Sequence, residues 1–186
     1  RLLLIDLQSE ALERGSRDIE VGPNPNVLMS RMGLSRGGPV SRKLSDQLER
    51  LCRCTLDFKI GNDRRALIVN ERLVEAFEYS SEVDPRTTRL SGMVERLRLS
   101  EAFYAELKRH PIPVDRSAIK SIQTSPRAID IYLWLAFRLH ALDDEVPFRA
   151  EFREPLALAL AAYKDARVRV GERGLVLMPS PPPVMR

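Results

Sequence analysis

Cysteine, histidine and aromatic side chains are scarce in this chain, and each scarcity excludes a class of chemistry. The two cysteines, Cys52 and Cys54, stand one residue apart at the end of a helical pattern. That spacing is too tight for an ordinary disulfide and lacks the second pair of ligands that a zinc site needs. Two small, buried or half-buried thiols in a reducing compartment are expected instead. The only histidines are His110 and His140. His110 lies against Pro111 in a loop, and His140 closes a helix, where a cationic ring complements the carbonyl end. Neither is expected to act as a general base. Long hydrophobic runs are also missing. The most apolar one, Ile131 to Phe137, is flanked by Asp130 and Arg138 and is far shorter than the ~20 residues of a membrane span. No signal peptide is legible, and the opening "RLLLIDL" looks like a boundary rather than a natural start. A phosphate-cradling loop would need G-x-x-x-x-G-K-[ST] after a strand, whereas "GLSRGGPVSRK" lacks that spacing and follows a helix. Carboxylates are plentiful but scattered among arginines. No enzyme activity, no metal and no cofactor is therefore expected.

Neither sign of charge dominates, since 30 Lys and Arg face 26 Asp and Glu for a net charge of +4. Such a total is common among proteins that bind no polyanion, so the position of the charges decides. Arginine outweighs lysine along the chain, and it matches phosphate oxygens and guanine edges better. A hydrophobic fraction of 44% over 186 residues fills one core or two small ones.

The pattern along the chain predicts an amphipathic helix over Leu2 to Leu12, stopped at Gly15, and a short extended piece in "SRDIEVG". Asn26 is expected to cap a second helix that ends at Gly33. After Gly37-Gly38, a third helix carries Leu44, Leu48, Leu51 and Cys52 on one stripe. The period then changes to two: "TLDFKI" and "ALIV" are strands, and "GNDRR" is the basic turn between them. Helix, helix, turn, helix and hairpin is the order of a winged helix-turn-helix, whose second motif helix enters the major groove with the hairpin alongside. Residues 76–98 are weakly patterned and polar and are expected as a linker or insertion. Ser100 caps a helix through Lys108, Pro111 and Pro113 enforce an extended segment, and Ser117 to Ile122 forms a short helix. Ser125 and Pro126 open a long helix, in which Tyr132, Trp134 and Phe137 are expected as core rather than as stacking platforms. "FRAEFREPLALALAAY" is a further helix, with Pro155 either kinking it or marking a start near Glu154. "ARVRV-GERG-LVLMP" is a hairpin and "SPPPV" an extended tail.

The expected fold is thus mainly α with small β-hairpins (α+β), as two winged helix-turn-helix domains in tandem. The first spans residues 1–75, the linker 76–98 and the second 99–186. The stretch after His140 is too short for the second helix of the second motif, which leaves a reduced unit or a missing segment; the missing segment is the expectation. On the third helix Ser41, Arg42, Lys43, Gln47 and Arg50 avoid the leucine stripe, so they project outward as candidates for phosphates and base edges. Arg36 in the turn and Asn62, Arg64 and Arg65 at the hairpin tip extend that set. Arg149 and Arg153 on the later helix, with Arg167, Arg169 and Arg173 on the last hairpin, repeat it.

Particular stretches carry a resemblance beyond these patterns. "SPRAIDIYLWLAFRLH", preceded by "LSEAFYAELKRHPIPVDRSAIKSI" and followed by "GLVLMPSPPPV", resembles the plasmid replication initiator RepA family. "SRDIEVG…LMSRMGLSRGGPVSRKLSDQLERLCRC" is similar to that family's N-terminal half. "FREPLALAL" is similar to the proline-containing helix of initiators with two winged-helix domains. The resemblance implies sequence-specific binding of double-stranded DNA at origin repeats (iterons), opening of an adjacent A+T-rich segment and recruitment of host helicase. It further implies that monomers initiate while homodimers repress the initiator's own gene, in the bacterial cytoplasm and away from membranes. A winged-helix transcriptional regulator that binds an inverted repeat as a dimer is the alternative. A protein-interaction scaffold whose wings meet a partner protein is a third.

Overall fold

The structure, a computed structural model, describes residues 1–62, 65–83, 90–148, 153–171 and 174–184, with side chains outside 58–62, 65–68, 81–83, 90–92 and 153. The chain is mixed helix and sheet and divides into two compact units, residues 2–110 and residues 111–186 taken with Arg1.

The first unit runs α1 (Leu2–Arg14), β1 (Asp18–Glu20), α2 (Pro25–Met32), α3 (Gly38–Cys52), β2 (Thr55–Asn62), β3 (Arg65–Arg72), β4 (Val74–Val83), β5 (Leu90–Leu99) and α4 (Glu101–Arg109). α1 buries Leu3, Leu7 and Ala11, one turn apart along a single stripe. Gly15, at φ 62°, turns the chain out of the helix. α2 is capped by Asn24, whose side chain accepts the Asn26 N–H at 3.1 Å, and Pro25 opens its first turn. The cap thus lies two residues before the expected Asn26, because proline fixes the first helical position and leaves the residue before it extended. Gly33 closes α2 in the left-handed conformation, as its sequence position suggests.

One polar contact inside this unit stands apart from the apolar core. Arg31 on α2 donates through Nη2 to Asp6 Oδ2 at 2.7 Å and through Nε at 2.9 Å, and its Nη1 reaches Glu20 O at 3.1 Å. Asp6 is buried, so this pair bolts α2 to α1 and β1 at once. Removing either partner would break a largely buried ion pair, a strongly destabilising change.

Of residues 76–98, expected as a linker, 76–83 and 90–98 are strands, and 84–89 lie outside the described residues. The two stretches form most of β4 and β5, whose Val74, Met93, Val94, Leu97 and Leu99 are buried in the first core. Register shifts between Val74 and Ala76 and between Glu78 and Tyr79 break the two-residue period, which hides the strands from a pattern search. The expected boundary at residue 99 also moves. Phe103, Tyr104 and Leu107 of α4 pack on the first core, so the second unit begins near Pro111.

The hairpin directly after α3 is a two-stranded sheet of its own, in register from Thr55↔Arg72 to Asn62↔Arg65. This hairpin, expected as the wing, forms no part of the three-stranded sheet, in which β1 pairs with β5. The three-stranded sheet runs β1-β5-β4.

The second unit runs α5 (Arg116–Ser121), α6 (Pro126–Leu139), β6 (Val146–Phe148), α7 (Arg153–Ala162), β7 (Val168–Gly171) and β8 (Gly174–Leu177). Asp115 caps α5 and Ser125 caps α6, each through its side chain. α7 starts at Arg153, so Pro155 falls in the first turn, where its missing N–H costs nothing and no kink is needed. Residues 149–152 alone separate β6 from α7, too few for another helix. The unit's sheet order, β6-β8-β7, again puts the last strand between the other two.

The core here gathers Ile129, Tyr132, Leu135 and Leu139 of α6 against Leu156, Ala159 and Tyr163. The rings of Tyr132 and Tyr163 lie 6.0 Å apart. Of the aromatics expected as core on α6, only Tyr132 is fully buried; Trp134 is half-buried and Phe137 is 49% exposed. The tail is tied down: Tyr163 Oη donates to Pro181 O, and Ser180 Oγ accepts from Arg167 N and donates to Met178 O, both at 2.9 Å.

Candidate nucleic-acid interface

α3 positions the first candidate set. Leu44, Leu48 and Cys52 recur every four residues and are buried, which turns Arg42, Lys43, Asp46, Gln47 and Arg50 to solvent. Ser41 is half-buried rather than fully outward, because it sits three residues before Leu44 at the margin of the buried stripe. Arg42 and Lys43 form no ion pair among the described residues, and neither does the exposed Arg36 in the preceding turn. Arg50, by contrast, is paired with Asp46 at 3.2 Å one turn back. Its charge is partly neutralised within the helix.

The amino end of α3 is open. Pro39 lies in its first turn, Gly37 caps it without a side-chain bond, and nothing lies within 4 Å of where a Cβ would stand on Gly37 or Gly38. The terminal N–H groups are thus uncovered next to Arg36, Arg42 and Lys43, an arrangement that attracts an anion such as a backbone phosphate. Cys52 lies on the opposite face, where burial pushes its thiol up to about 12 and keeps it neutral.

The other candidates are less complete. Asn62 and Arg65 face each other across the ends of β2 and β3, while Arg64 lies outside the described residues. Arg167 and Arg169 are exposed at the start of β7, and Arg153 is the first residue of α7. Arg149 and Arg173 lie outside the described residues. The single cluster whose side chains are described together is therefore the one on α3.

A second basic surface was not anticipated from the sequence, because it falls in the stretch expected as a linker. Arg96 and Arg98 stand on β5 between acidic neighbours, Asp18 and Glu20 on β1 and Glu78 on β4. Arg98 Nε lies 2.6 Å from Asp18 Oδ1, and that hydrogen bond holds the Asp18 carboxyl below its usual range. Arg17 meets Glu75 at 2.6 Å in the same way. These charges cancel across the strands and leave no unopposed basic field. α3 remains the better site for a polyanion.

A mixed α+β chain of two small units, each closing a helix-backed sheet in the same strand order, with one open basic helix, has the makings of a nucleic-acid-binding protein. Residues 1–151 match the family model described as plasmid encoded RepA protein, and the chain belongs to that plasmid replication initiator family. No curated protein matches it, and no solved structure does. Among the described residues no helix is long and apolar enough to cross a membrane.

Proposed function

We propose that this initiator binds double-stranded DNA at origin repeats, with α3 lying in the major groove. Arg42, Lys43 and Gln47 would address base edges and phosphates from the exposed face, and the open amino end of the helix would take a backbone phosphate. The observation that carries this is the unpaired Arg42–Lys43–Gln47 row standing opposite buried Leu44 and Leu48.

The wider architecture supports the same conclusion. In this reading the succession α1, β1, α2, α3, β4, β5 with sheet order β1-β5-β4 would serve as a winged helix, and the β2–β3 hairpin would be an added arm between α3 and the sheet. The second unit repeats the sheet with one helix fewer, and its exposed Arg167 and Arg169 on β7 would follow the phosphate backbone. Binding of this kind would serve opening of the neighbouring A+T-rich segment and recruitment of host replication proteins such as the helicase. A homodimer would repress rather than initiate, all in the bacterial cytoplasm.

Fluorescence anisotropy of a labelled duplex tests the proposal. Direct repeats from the cognate origin should bind at least a hundredfold more tightly than a scrambled duplex of equal length. With about six to ten phosphates contacted, affinity should fall about a thousandfold or more between 50 and 200 mM salt. Equal affinity for both duplexes would refute sequence-specific recognition.

A further inference from the structure

α3 carries two carboxylates, Asp46 and Glu49, beside the basic Arg42, Lys43 and Arg50. Glu49 has a structural task. It is half-buried and bound to Arg53 at 3.1 Å, and the Arg53 guanidinium lies 5.5 Å from the centre of the Phe77 ring. Asp46 has a weaker hold on the fold. Its ion pair with Arg50, at 3.2 Å, leaves the two side chains 56% and 78% exposed, and a pair so open adds little to folding.

The position of Asp46 sets it apart. It stands two residues from both Leu44 and Leu48, which at about 100° per residue puts it about 180° from the midline of those buried side chains. Arg42 and Arg50, one turn before and after, fall about 40° to either side. A helix laid in a major groove turns the line opposite its buried stripe to the groove floor and its flanks to the phosphates. An aspartate between two arginines therefore occupies the deepest place on the outer face of α3.

A carboxylate in that place accepts hydrogen bonds and gives none. Phosphates repel it. On the groove floor guanine shows two acceptors, thymine an acceptor and a methyl group, and adenine a donor beside an acceptor. Cytosine alone shows a lone donor, its N4 amino group. A wrong base leaves the aspartate desolvated and unpaired, so it is penalised as well as unrewarded.

We infer that Asp46 sets specificity: it exchanges Arg50 for the N4 amino group of one cytosine in the bound repeat, and the released Arg50 takes a backbone phosphate. On other sequences Arg50 stays on Asp46 and that phosphate contact is missing. The inference rests on the reading that α3 lies in the major groove, and adds to it the base that the centre of the helix selects.

The test titrates the intact chain into labelled duplexes in which each base pair of one origin repeat is replaced in turn. Replacing one particular cytosine should weaken wild-type binding about tenfold or more. Asp46→Ala should lose the preference at that position and keep it at the others. Asp46→Asn should prefer adenine there, since asparagine donates to N7 while accepting from N6. Alanine also frees Arg50 on a scrambled duplex, so the slope of log affinity against log salt should steepen by about one. Both variants should keep the wild-type thermal midpoint, because the pair is exposed. Wild-type and Asp46→Ala profiles that run parallel at every position would overturn the proposal, as would an unchanged salt slope. A wild type indifferent to repeat and scrambled duplex alike would take down the major-groove reading, and this proposal with it.

Discussion

The two units share a strand order and a leading helix but differ by one helix, and that difference separates their roles. In the first, α2 is bolted to α1 by Arg31 and stands between α1 and α3 in the chain, so α3 keeps an outward face. In the second, α7 packs directly on α6, with Tyr132 and Tyr163 filling the space between them. The first unit thus presents one exposed basic helix face, whereas the second exposes Arg167 and Arg169 beside its sheet.

The aspartate fifth in both α1 and α6 gives the largest expected effect. Arg31→Ala removes the guanidinium that binds buried Asp6 and should cost about 3–5 kcal/mol in the first unit. Hydrogen exchange should show residues 2–110 opening while the second unit keeps its protection. Asp130→Asn at the matching position removes only an exposed pair and should change stability by less than about 0.5 kcal/mol. Equal losses from the two substitutions would erase the distinction between a buried and an exposed ion pair.

Ser180→Ala probes the second unit alone. Its hydroxyl serves both Arg167 N and Met178 O from a buried position, so its loss should cost about 1–3 kcal/mol and loosen the tail in urea unfolding. Asp115→Ala removes the α5 cap and should cost about 1 kcal/mol. The Ser117 hydrogen bond holds the Asp115 carboxyl below its ordinary value of 3.8. A lowered value means that its contribution is complete above that pH and disappears as pH falls through the folded value. The stability difference between wild type and Asp115→Ala should thus shrink below about pH 3.8 and be flat near neutrality. The smallest effect is chemical. Iodoacetamide should label half-buried Cys54 in the native protein and leave Cys52 unlabelled, since burial keeps that thiol neutral. Prompt alkylation of Cys52 would show that the inner face of α3 is not packed.

Much of this was legible from local chemistry. Leu44, Leu48 and Cys52 set the phase of α3 and so placed Arg42, Lys43 and Gln47 on its outer face. Ser100 and Ser125 marked the starts of α4 and α6, and Gly33 the end of α2, because caps and left-handed turns are decided by neighbouring residues. Strand pairing was not legible. The pairing of β1 with β5 depends on residues about eighty positions apart, and register shifts along the β4–β5 pair scrambled the alternation that would have marked both as strands. Trp134 on an apolar helix suggests core, yet it is half-buried because it falls on the side of α6 away from Ile129, Tyr132 and Leu139.

The most direct test of the central claim is duplex affinity of the intact chain carrying Arg42→Ala and Lys43→Ala, measured against origin repeats by anisotropy across a salt series. The double variant should bind at least tenfold more weakly, with a shallower dependence on salt, while its folding stability is unchanged. Unaltered affinity and an unaltered salt slope would contradict the assignment of α3 as the helix that meets DNA.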